Sequence, residues 1–169
     1  GRFARWLIAK DIQPSYHSYG NGSGMRVSAA GFMAKSVDEC IDLATKTALP
    51  THDHPEGIKG AVATALAIFY GMQGKDKDFI RKQVLDVYYP NWSGLTYEGI
   101  KPGYGFDETC QQTIPAALIC FLESKDYEDC LKLAIALGGD ADTLAAISGP
   151  MAYAFYKCMP EELNTTIGS

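Results

Sequence analysis

Pro55-Glu56-Gly57-Ile58-Lys59-Gly60-Ala61-Val62-Ala63-Thr64-Ala65-Leu66-Ala67-Ile68-Phe69-Tyr70-Gly71-Met72 is the stretch on which the fold turns. Its residues are small and apolar almost all round, from Ala61 through Phe69. A helix without a polar face sits in the centre of a domain. Pro55 suits its first turn, where a missing N–H removes no hydrogen bond. Gly71 and Gly74 close it.

The rest of the chain reads as helices to surround that one. Ser36-Val37-Asp38-Glu39 is a capping box, with Ser36 as N-cap and Glu39 at the third helical position. It starts a helix through Cys40, Ile41, Leu43 and Ala44 toward Pro50. Residues 2–11 set Phe3, Trp6 and Leu7 at helical spacing, and Pro14 ends that helix. A short helix is expected over Val27–Met33. Lys75–Tyr89 is amphipathic through Phe79, Ile80, Val84, Leu85 and Tyr88, and Pro90 stops it. Two more helices are expected at about 108–123, led by the capping residues Asp107 and Glu108, and at about 126–137. A last one runs over about 141–157, before Pro160 and a polar tail. Residues 91–106 read as an irregular, aromatic stretch, and one this long is often functional. There is no β alternation, hairpin signal or repeat. The expected class is all-α, a single compact multi-helix domain over residues 1–169.

Composition narrows the function. The chain is 47% hydrophobic and 21% charged, ordinary for a protein with a sizeable core. A net charge of −5 argues against a general nucleic-acid surface. No apolar run reaches membrane-spanning length, and the first residues lack the layout of a signal peptide. Cys40, Cys110, Cys120, Cys130 and Cys158 show no C-x-x-C spacing and mostly sit among apolar residues. They read as reduced core thiols of a cytoplasmic protein.

Three polar stretches interrupt the helices. His17-Ser18-Tyr19-Gly20-Asn21-Gly22-Ser23-Gly24-Met25-Arg26 is glycine-rich and leads into a helix. Its exposed amides suit a phosphate, with Arg26 adding a charge-assisted contact, but neither a P-loop nor a strand-led dinucleotide fingerprint is present. A flexible linker is the alternative. His52-Asp53-His54 has the look of a metal-binding H-x-H pair; a hydrogen-bonding role at a cleft or a solvated turn are the other readings. Gly138-Gly139-Asp140-Ala141-Asp142-Thr143 puts two carboxylates and a hydroxyl at the start of a helix. The glycines can adopt φ > 0 and admit a close neighbour. Asp140 reads as a helix cap, or with Asp142 and Thr143 as half of a Mg²⁺ or Mn²⁺ site.

Tyr19-Gly20-Asn21-Gly22-Ser23-Gly24-Met25-Arg26, then Thr51-His52-Asp53-His54-Pro55-Glu56-Gly57, then Gly138 through Gly149, in that order, resemble the ADP-ribosylglycohydrolase family. The resemblance implies an all-helical fold and a hydrolase that removes ADP-ribose from an ADP-ribosylated acceptor with two Mg²⁺ or Mn²⁺ ions. It implies that Asp140, Asp142 and Thr143 are metal ligands. Ser18, Tyr19, Gly20, Asn21 and Gly22 would cradle the diphosphate, Met25 and Arg26 continue that motif, and His52 would contact the ligand. Residues 91–106 would border the adenine. Family members carry a glutamate and a Thr-Asp-Asp-Thr stretch upstream of these motifs, supplying the acid/base carboxylate and the remaining metal ligands. This chain begins after that place, so its catalytic carboxylate is expected elsewhere and these 169 residues are expected to be inactive alone. The alternatives are a non-catalytic ADP-ribose-binding module and a purely structural helical domain.

Overall fold

In the computed structural model, which describes residues 2–157, the chain runs α1 (Arg2–Leu7), α2 (Gly22–Met25), α3 (Ser28–Met33), α4 (Val37–Ala48), α5 (Pro55–Met72), α6 (Lys77–Ile80), α7 (Asp86–Tyr88), α8 (Tyr97–Ile100), α9 (Cys110–Glu123), α10 (Tyr127–Leu137) and α11 (Ala141–Tyr156). Gly1, Cys158 and the tail with Pro160 lie outside the described residues, as does the side chain of Phe3. Among the described residues, the sole β pairing is an isolated antiparallel bridge between Gly20 and Thr109. The all-α expectation holds.

The apolar stretch is α5, and it is central. Residues 60–69 are all buried, and α2, α3, α4, α9 and α11 pack around them. Small side chains let the neighbours come very close. A Cβ on Gly31 of α3 would stand 2.6 Å from the carbonyl oxygen of Ala65 and 2.7 Å from Cβ of Ile68. A Cβ on Gly60 would stand 2.5 Å from Sγ of Cys110, at the start of α9. Around this centre α10 packs on α11, and Ile114, Leu118, Phe121, Leu144, Ile147 and Met151 complete the core. Cys40, Cys110, Cys120 and Cys130 are buried there without disulfides.

Side-chain caps explain several helix starts. Ser36, Asp76, Thr96 and Asp126 have extended backbones and accept from the amides of Glu39, Phe79, Gly99 and Asp129. The capping box at Ser36 closes one residue further out than expected: Glu39 accepts from the amide of Lys35 at 2.7 Å.

Three expected elements differ. The first helix stops at Leu7, and Leu7, Ile8 and Ile12 are 63%, 77% and 101% exposed, so little burial supports its continuation. The expected helix over Lys75–Tyr89 is interrupted by a π-helical turn at Arg81–Leu85. The wider turn brings Ile80, Val84 and Leu85, at spacings of four and five, onto one fully buried face. Residues 91–106 are not simply irregular. They contain α8 and 3₁₀ turns, and Tyr97 is tied to the core by its hydroxyl, which donates to the carbonyl of Leu133 at 3.1 Å.

The Gly31 contact yields a direct check. Gly31→Ala overpacks against the α5 backbone, which cannot yield as a side-chain tip can. A loss of about 1–3 kcal/mol is expected, read as a lower urea midpoint by circular dichroism with the slope unchanged.

Candidate functional site

Two glycines in left-handed backbone regions turn the chain from α10 into α11. Gly138 has φ +85° and Gly139 φ +64°, values that side chains rarely tolerate. At Gly139 the space is also used: a Cβ there would stand 2.7 Å from the carbonyl oxygen of Gly105 and 3.0 Å from the Tyr104 ring. The stretch before α9 therefore packs onto the acidic turn.

Asp140 does not cap α11 with its side chain, which corrects the capping expectation. Its ψ of 64° departs from the extended geometry of the side-chain-capped starts, so its carboxylate swings away from the helix amides. Oδ2 instead accepts from Nδ2 of Asn21 at 2.8 Å, across 119 residues of sequence. Asn21 is 7% exposed and spends its other amide hydrogen on Thr113 Oγ1 at 3.2 Å. The Thr113 hydroxyl donates to the carbonyl of Asp107 at 3.0 Å. The glycine loop, the start of α9 and the acidic turn are thus one hydrogen-bonded unit.

The loop itself is pinned by its backbone. The Asn21 amide donates to Glu108 at 2.8 Å, and the Cys110 amide donates to Tyr19 at 2.9 Å. The Ser18 amide donates to Thr51 at 3.2 Å, while Ser18 Oγ accepts from the Gly20 amide at 3.2 Å. Asp107, expected as a cap of α9, instead accepts from the Thr109 amide at 2.7 Å, ahead of the helix. Tyr16, His17, Tyr19, Asn21 and Glu108 line a cleft of about 570 Å³ along this loop.

His52 stands behind the loop. A Cβ on Gly22 would be 3.4 Å from its Nε2. Its Nδ1 lies 2.7 Å from Thr51 Oγ1 and 3.4 Å from Arg26 Nη2. Arginine only donates, so Nδ1 is the acceptor and Nε2 carries the proton that faces the loop. Burial, reinforced by the Arg26 charge against the pull of Asp53, lowers the imidazole pKa to about 4. His52 is therefore a neutral N–H donor at neutral pH. Arg26, expected as an anchor for a phosphate, directs Nη2 to the carbonyl of Thr47 at 3.1 Å and to Thr51 Oγ1 at 2.7 Å. In this fold it ties the end of α4 to His52. His54 caps α5, its side chain accepting from the Glu56 amide.

The acidic turn has the right donors for a divalent cation, in kind but not in number. Asp140 and Asp142 are hard carboxylates without a Lys, Arg or His partner among the described residues, and Asp142 is exposed. The Thr143 hydroxyl donates to the Met25 sulfur at 3.6 Å, so its oxygen remains free to accept or coordinate. Among the described residues there is no group of three or more His, Cys, Asp or Glu placed to hold a metal. The turn fits as part of a site that needs further ligands.

Sequence reading overlooked Thr113 and Tyr104, and took Asp107 only as a helix cap. Thr113 carries no motif, and only the fold brings it and Asp107 to Asn21. Tyr104 lies in the aromatic stretch already singled out. Its hydroxyl is buried without a hydrogen-bond partner, and burial, with Cys120, Asp107 and Asp140 nearby, pushes its pKa well up.

Comparison with known proteins identifies the family. The family model for ADP-ribosylglycohydrolase matches residues 1–166. ADP-ribosylhydrolase ARH3 of Homo sapiens is 26% identical over 183 aligned residues, covering 82% of this chain and 50% of that protein. An uncharacterized protein of Archaeoglobus fulgidus is 27% identical over 157 residues, covering 83% of this chain and 50% of that one. A solved structure titled "ADP-ribosylglycohydrolase-related protein complex" shares the fold, with a TM-score of 0.70 and 24% identity over 93% of this chain and 58% of that one. The chain spans about half the length of the curated relatives it matches.

The depressed His52 pKa has a measurable consequence. Between the ordinary 6.5 and about 4, the unfolded chain binds a proton at this residue and the folded chain does not. Stability is therefore complete above that window and falls as pH falls through it. Melting temperature followed against pH is expected to drop less steeply between these values in His52→Gln than in the unaltered chain.

Proposed function

The chain belongs to the ADP-ribosylglycohydrolase family, and on that footing we propose that it provides the ligand-binding half of a hydrolase that removes ADP-ribose from an ADP-ribosylated acceptor. The observation that carries the reading is the Asn21–Asp140 hydrogen bond. It joins a glycine loop suited to phosphate with an acidic turn suited to divalent cations, so that one extended ligand can touch both.

Each residue has a role in that reading. The Ser18–Gly22 loop offers backbone groups to a diphosphate beside the cleft, and the neutral Nε2–H of His52 donates toward the same loop. Tyr19 presents its ring at the cleft wall. Asp140, Asp142 and Thr143 would hold Mg²⁺ or Mn²⁺, two ions with the help of ligands from beyond these residues. When bound, such ions supply positive charge that orients the distal ribose and favours bond cleavage at its anomeric carbon. Asn21 holds Asp140 in place, and Thr113 and Asp107 hold Asn21. The diphosphate contacts lie away from the reacting centre and contribute orientation.

No residue of this chain is assigned as the acid/base carboxylate. The chain by itself is expected to bind ADP-ribose without cleaving a glycosidic bond, and to become competent when joined to the segment that completes the metal site, on the same chain or another. The compartment proposed is the cytoplasm, where unpaired thiols such as Cys110 and Cys120 stay reduced. Among the described residues no helix is long and apolar enough to cross a membrane.

Titration calorimetry with ADP-ribose, with and without Mg²⁺, tests the reading. Binding strengthened by Mg²⁺ is expected. Asn21→Ala should weaken the Mg²⁺-dependent part roughly 10–100-fold, as loss of a residue that orients a metal ligand does. Asp140→Asn should remove the Mg²⁺ effect with helical content retained. Binding indifferent to Mg²⁺ and to Asp140 would leave only a metal-free binding module. No binding at all would sink the proposal.

A further inference from the structure

Tyr16–Tyr19 has no regular secondary structure, yet it forms a wall of the cleft. What holds it is the turn that precedes α5. Ser15 Oγ donates to Asp53 Oδ1, and His17 Nδ1 lies 3.5 Å from the same oxygen. His17 has φ +55°, a backbone state that persists where surroundings impose it.

His54 is the hub of these contacts. Its Nδ1 accepts from the Glu56 amide at 3.1 Å and so caps α5. Its ring lies edge-on to Tyr19, with centroids 5.3 Å apart, and 4.7 Å from the His17 ring. Tyr19 is 49% exposed, and its hydroxyl bonds to none of the described residues. The edge contact with His54 is the one ring contact described for that side chain. We propose that His54 is a positioning residue: one nitrogen fixes it to the start of the buried helix α5, and its ring seats Tyr19 in the cleft wall for ligand binding. The inference rests on the ADP-ribose reading for the ligand, but the seating of Tyr19 is independent of it.

The two tasks use different parts of the side chain, so two substitutions separate them. His54→Asn keeps an acceptor for the Glu56 amide and removes the ring. His54→Phe keeps a ring and removes the acceptor. A fluorotyrosine installed at position 19 alone, followed by fluorine NMR, reports the setting of that ring with or without ligand. In His54→Asn the signal is expected to move toward that of an exposed tyrosine while the melting temperature stays near the unaltered value. ADP-ribose affinity should fall roughly two- to tenfold, the worth of an aromatic pair. In His54→Phe the melting temperature should fall while the signal and the affinity are kept. An unmoved signal in His54→Asn, or parallel changes in signal and melting temperature in both variants, would overturn the proposal in favour of a cap alone. If the unaltered chain fails to bind ADP-ribose but the variants still separate signal from melting temperature, the ligand assignment fails and the seating role stands.

Discussion

Everything in this protein is arranged around a helix that has no polar face. Residues 60–69 of α5 offer water almost nothing to solvate, so five other helices cover them. The small side chains that allow this also set the distance of approach. Where Gly31 meets Ala65, or Gly60 meets Cys110, a single added methyl has no room. That closeness has a functional result. The N-terminus of α5 and the first turn of α9 are drawn together, and the loop that carries Tyr19, Gly20 and Asn21 passes between them, bonded to residues just before both.

The site depends on rigidity at a distance from any ligand. Asn21 reaches Asp140 only because the loop backbone is bonded to Glu108 and Cys110, and because Gly138 and Gly139 let α11 begin with its carboxylate turned aside. His52 is held neutral by burial and by Arg26, so it can present an N–H toward the loop. Arg26 itself is occupied with the end of α4. A cation that looked suited to a ligand also sets the proton position of a histidine.

Much of the fold was legible in the residues. The bounds of α5 come directly from its apolar composition and its Pro and Gly punctuation, and α9, α10 and α11 begin within two residues of expectation. The failures have local causes. A π turn is invisible to a helical pattern, since Ile80, Val84 and Leu85 fit either spacing loosely. The helix expected over residues 2–11 stops at Leu7, and Leu7, named for its helical spacing, is 63% exposed. The aromatic stretch 91–106 hid short helical turns because four glycines and a proline break up any helical pattern.

The sequence by itself determined the helical class, the central helix and the three polar motifs, because each is encoded in neighbouring residues through period, capping chemistry and backbone freedom. Their order along the chain also sufficed to suggest the family. Only the tertiary structure decided which donors serve which acceptors. Asp140 could cap a helix or leave it, and the choice lies in its ψ angle and in Asn21, 119 residues away. Arg26, His52 and His54 likewise took their roles from partners that sequence spacing does not specify. A hydrogen bond is short-ranged and directional, and its partner is known only once the chain has been brought together.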